Sequence, residues 1–131
     1  MTLGTKFDWT KESAAKETKM LNPDVIETKV PAFAAQLQQL HGDWRKMLGK
    51  TAEMMLALAN DAALTEKELS KILHEVQITL GSEDNMVGQE ESMKMAAAMT
   101  NAKFKLLENL KHPIEKADAN MLAGEILSFI S

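Results

Sequence analysis

A chain of 131 residues, 45% apolar and 26% charged, is long enough to bury a core without metals or disulfides and lacks the composition of a disordered segment. Its net charge of −4, with a single arginine and lysines scattered among carboxylates, argues against nucleic acid as a partner. The absence of cysteine excludes disulfide staples, thiol catalysis and cysteine zinc sites.

Residues 1 to 22 are polar and rich in Lys and Thr, and they read as a weakly structured or separately docked N-terminal arm on a single helical domain spanning residues 1–131. Thr10 is placed to cap a short helix over Lys11 to Leu21, whose apolar face is only Ala14, Ala15, Met20 and Leu21. Asn22-Pro23-Asp24 is a helix-start signal, and Pro31 restarts the chain. From about Pro31 to Asn60, Phe33, Leu37, Leu40, Trp44, Met47, Thr51, Met54 and Leu58 alternate at spacings of four and three, which predicts one long heptad helix with Leu40 in its core.

Thr65 and Glu68 form a capping box ahead of Leu69, Ile72, Leu73, Val76 and Leu80, so a helix is expected from Thr65 to Leu80, closed by Gly81. A second long helix is expected from about Met86 to Lys111, apolar at Met86, Met93, Ala97, Phe104 and Leu107. His112-Pro113 breaks it, and Ile114 to Ile130 reads as the last helix, ending in an apolar patch. No strand is predicted. The expected fold is all-α: an elongated antiparallel helical bundle of four to five helices, two of them long.

The candidate motifs fail on spacing. Gly49-Lys50-Thr51 lacks the first glycine and the preceding strand of a phosphate loop. His74-Glu75 begins a zinc-protease helix, but the second histidine position holds Ile78. Gln38, Lys71 and Asn109 stand where a bundle di-iron site needs glutamate before His41, His74 and His112, so the histidines read as solvent-facing or capping. Glu83, Asp84, Glu90 and Glu91 read as a solvated acidic face, and no serine has a histidine nearby in sequence. No metal, cofactor or catalytic residue is expected.

Ten methionines are the most unusual feature of the composition. Methionine fills irregular core gaps and equally suits surfaces that accept varied partner helices. Met55, Met95 and Met99 fall off the main seams, Phe129 and Ile130 end the chain on apolar side chains, and Trp9 stands in the polar arm. These six are the candidate partner-binding residues.

The reading that follows is a non-enzymatic protein-binding adaptor, chaperone-like factor or effector acting through helix-helix contacts, with another protein or a second copy as partner. A self-assembling subunit of a filament, ring or coat is the first alternative, and a cryptic carboxylate-based enzyme the second. Lys6, Asp8, Lys11 and Glu12 interrupt any leader-like apolar run, and no stretch is long enough to span a bilayer. A cytoplasmic protein without membrane insertion is expected, with export lacking a cleaved signal peptide as the alternative.

Overall fold

The computed structural model describes residues 1–60 and 64–131, and its residues group into two compact units. Residues 1–8 and 64–131 form the first, and residues 9–63 form the second, which is inserted between the two stretches of the first.

The first unit is built on a parallel sheet, which overturns the expected all-α bundle. Its strands are β1 (Thr2–Leu3), β2 (Val76–Gly81) and β3 (Ala102–Leu107), in spatial order β1-β2-β3. Thr2 pairs with Ile78 and Leu3 with Thr79, while Val76 to Gly81 pair in step with Ala102 to Leu107. The predicted helix over Thr65 to Leu80 is therefore mostly strand and connection. Only Glu66–Leu69 is helical, capped as expected by Thr65, whose side chain accepts from the Glu68 amide.

The predicted helix from Met86 to Lys111 divides in the same way. Gln89–Ala97 is helical and Ala102–Leu107 is a strand, so Val76 to Leu107 form one strand–helix–strand unit of the kind that parallel pairing requires. The central strand β2 is the most buried: Ile78, Thr79 and Leu80 are each no more than 2% exposed. Thr79 is tolerated there because its hydroxyl donates to the Thr2 carbonyl. Beneath the sheet, Leu69, Ile78, Met95, Ala96 and Met99 pack together with Phe7, Val76 and Phe104.

A 3-10 turn, Ile114–Lys116, follows β3 and leads to the last helix, Ala119–Ile130, whose first turn is capped by the Asp118 carboxylate accepting from Met121. The N-terminal stretch is tied to this unit by Glu91, whose Oε1 accepts from the amides of Phe7 (2.5 Å) and Asp8 (2.7 Å). Glu91 is thus a specific acceptor, and only its neighbour Glu90 keeps the solvated role assigned to both.

The second unit is helical. Its helices are α1 (Lys11–Lys19), α2 (Pro23–Lys29), α3 (Pro31–Leu40) and α4 (Trp44–Asn60). Thr10 and Asn22 supply the expected N-caps. The single heptad helix does not form: the chain breaks at His41 to Asp43, where Gly42 takes φ +27°, and Leu40 is 66% exposed. Ile26, Ala34, Leu37, Trp44 and Leu48 make the core, with Arg45 paired to Asp24 and Glu27 on its outside. Among the described residues, no helix is long and apolar enough to cross a membrane.

Candidate active site

Strands in a parallel sheet all point their carboxyl ends the same way, and the crevice outside those ends is where open α/β sheets bind ligands. In the first unit each of the three strands delivers one residue there: Gly4 follows β1, Asp84 follows β2 and His112 follows β3. Asp84 and His112, 28 residues apart, meet at 2.9 Å between Asp84 Oδ2 and His112 Nδ1. Ionised, the carboxylate can only accept, so Nδ1 of a neutral ring in this pair carries its proton and Nε2 is left with a free lone pair.

Asp84 is held by more than the histidine. Its side chain is 1% exposed, and its Oδ1 accepts from the backbone amides of Met86 and Val87, both at 2.9 Å. Burial alone pushes its pKa up, but the amide hydrogen bonds from Val87 and Met86, together with His112, outweigh it and hold the carboxyl below its ordinary value. The Asp84 side chain is therefore a buried, fixed anion. The expectation of a solvated acidic face is corrected at this residue, and that of a solvent-facing or capping histidine at His112.

Two glycines make room for the pair. Gly4 adopts φ +55°, and a Cβ there would lie 3.1 Å from Asp84 Oδ2 and 3.4 Å from His112 Nδ1. Gly81, the last residue of β2, passes directly against the backbone of Leu110. Predicted as a helix cap, it is instead the point at which the turn holding Asp84 crosses the segment that leads to His112. A cleft of about 460 Å³ opens beside the pair, lined by Leu3, Gly4, Met86, His112, Pro113, Ile114 and Glu115.

The residues picked from sequence as a partner surface are divided between the two units. Met95 and Met99 are 8% and 7% exposed, in the core beneath the sheet. Phe129 and Ile130 line an apolar groove with Leu3, Leu122 and Ile126. Met55 and Trp9, both half-buried, belong to the second unit. Met95, Met99, Phe129 and Ile130 are not among the residues that line the cleft beside the Asp84–His112 pair. Sequence reasoning missed that pair because it sought partners at helical spacing, whereas the sheet joins residues across a strand–helix–strand connection. The available signal was an acid just after one strand and a histidine just after the next.

No family model matches the chain, and no curated protein does. Solved structures do. The chain is similar to a protein of Mycobacterium tuberculosis assigned as a non-heme bromoperoxidase (TM-score 0.60, 14% identity, 98% of this chain and 55% of that one). It is also similar to the enol-lactonase of Burkholderia xenovorans (TM-score 0.60, 18% identity, 98% and 54%) and to a meta-cleavage product hydrolase of Pseudomonas fluorescens (TM-score 0.57, 14% identity, 97% and 52%). The chain spans about half the length of these structures. At such identities the likeness shows the fold alone, and that fold is the α/β-hydrolase fold. The solved structures that share it are named as enzymes, a finding that runs against the expectation of a non-enzymatic, coiled-coil adaptor.

Proposed function

We propose that the chain supplies the general base and its orienting acid to the hydrolysis of a carbonyl substrate, with His112 as the base and Asp84 as the acid. The observation that carries this reading is the 2.9 Å contact between the buried Asp84 carboxylate and His112 Nδ1, at the carboxyl ends of neighbouring parallel strands. Acid before histidine is also the chain order of the triad in α/β-hydrolases, where the nucleophilic serine precedes both.

In that chemistry a hydroxyl oxygen attacks the carbonyl carbon as its proton passes to His112 Nε2; the same proton then goes to the leaving group. Water repeats the sequence to release the acid. Asp84 holds the ring so that Nε2 faces the reacting groups, and its fixed negative charge favours the imidazolium that forms in the transition state.

The serines ahead of Asp84 are engaged elsewhere. Ser13 closes the capping box of α1, the Ser70 hydroxyl donates to the Lys67 carbonyl, and Ser82 Oγ accepts from the Asn109 amide. None stands on the sharp strand-to-helix elbow that exposes a nucleophile in this fold. The hydroxyl served by His112 is therefore assigned to residues other than these.

Hydrolysis of p-nitrophenyl butyrate by the intact protein that carries this sequence tests the reading. His112→Ala should lower kcat by at least about 10⁴-fold while circular dichroism stays unchanged. Equal turnover in the two proteins, or none in the parent, would overturn it.

A further inference from the structure

The cleft beside His112 differs from the rest of the acidic surface in what lines it. Leu3, Met86, Pro113 and Ile114 supply apolar walls, and Met86 and Ile114 are 40% and 60% exposed, with their side chains unburied by the protein itself. Ligand pockets are lined in this way, with mostly apolar walls and few polar groups. The polar residues of the lining are His112, already held by Asp84, and Glu115.

No lysine or arginine lines this cleft among the described residues. Lys111 lies 3.9 Å from Glu83 instead, and Lys116 is exposed outside the lining. A carboxylate entering the cleft would thus meet Glu115 and the Asp84 carboxylate behind His112 without a compensating cation. Like charges disfavour binding, and apolar walls of low dielectric strengthen the effect.

We infer that this cleft receives the uncharged, apolar portion of the substrate and that Glu115 is a specificity-determining residue that turns away substrates carrying a carboxylate there. The substrate class is a neutral ester or amide with an apolar arm of up to about phenyl size. The inference rests on the reading of Asp84 and His112 as a catalytic pair, but it concerns binding and is tested without turnover.

Phenylacetamide and phenylacetate match in shape and differ in charge, which makes them suitable probes. Each is titrated at neutral pH into protein labelled at the methionine methyls, with the Met86 signal identified by its loss in Met86→Leu. The Met86 methyl and the His112 ring signals should shift saturably with phenylacetamide, and phenylacetate should bind at least about 5-fold more weakly. In Glu115→Gln the discrimination should fall towards unity with amide binding unchanged; the site is exposed, so folding is not at risk. Equal or tighter binding of the anion, no saturable shift with either probe, or unchanged discrimination in Glu115→Gln would overturn the assignment. Failure of His112→Ala to alter hydrolysis, alongside the expected binding pattern, would remove the catalytic reading and leave the ligand preference standing.

Discussion

Gly81→Ala should destabilise the first unit by more than about 4 kcal/mol, enough to unfold a domain of ordinary stability. A Cβ at this position would lie 2.1 Å from the carbonyl oxygen of Leu110 and 2.7 Å from its carbonyl carbon. Both are backbone atoms, so no rotamer change relieves the contact. β2 and the segment after β3 would have to separate, and the Glu83 amide donates to that same Leu110 carbonyl at 3.0 Å. Urea unfolding followed by circular dichroism reads the loss. Gly49→Ala is the matched control: Gly49 lies inside α4 with nothing within 4 Å of the point a Cβ would occupy, so alanine there should stabilise by up to about 1 kcal/mol. Equal effects at the two sites would mean that the close passage at Gly81 is absent.

Asp84→Asn should lower the kcat of ester hydrolysis by about 10⁴-fold with little change in KM. The amide can still accept from Met86 and Val87 through one oxygen, but its other arm becomes a donor facing Nδ1. The ring then places its proton on Nε2, and the base is lost by change of tautomer without loss of shape. The same substitution should flatten the acid limb of stability. A carboxyl whose folded pKa lies below its unfolded value contributes stability that is fully present above the unfolded value, about 3.9, and drains away as pH falls through the folded one. The parent protein should therefore lose stability below about pH 4 more steeply than Asp84→Asn. Parallel curves would show that Asp84 gains nothing from its partners in the folded state.

The helical second unit was legible in sequence because its signals are local. Thr10 and Asn22 mark starts whose cap hydrogen bonds close within three residues, and Pro31 opens α3 as its first residue, all three where the sequence puts them. The heptad seam failed at Gly42 because a pattern of spacings carries no information about backbone continuity.

The sheet was lost for a different reason. Val76-Gln77-Ile78-Thr79-Leu80 alternates apolar and polar, as does Ala102-Lys103-Phe104-Lys105-Leu106, and in β3 the two lysines are exposed as that alternation demands. Both runs also fit a helical stripe once Leu69, Ile72 and Leu73, or Met95 and Met99, are joined to them. Length favoured the helix. The Asp84–His112 pair was legible only once the two strands were, since the β2–β3 register is what brings residues 28 positions apart into contact.

The two stretches that make the first unit also order its assembly in time. Residues 9–63 form a continuous segment with its own core, so they can fold as soon as they are synthesised. β1 must wait for β2, because Thr2 pairs with Ile78 across the whole insertion. The equilibrium cost of that wait is small: closing a loop of this length rather than the shorter β2–β3 connection adds only about 1 kcal/mol. Evolution can therefore lengthen, trim or exchange the inserted helices at slight cost to the sheet. The Asp84–His112 contact, set by the β2–β3 register, lies wholly outside that insertion.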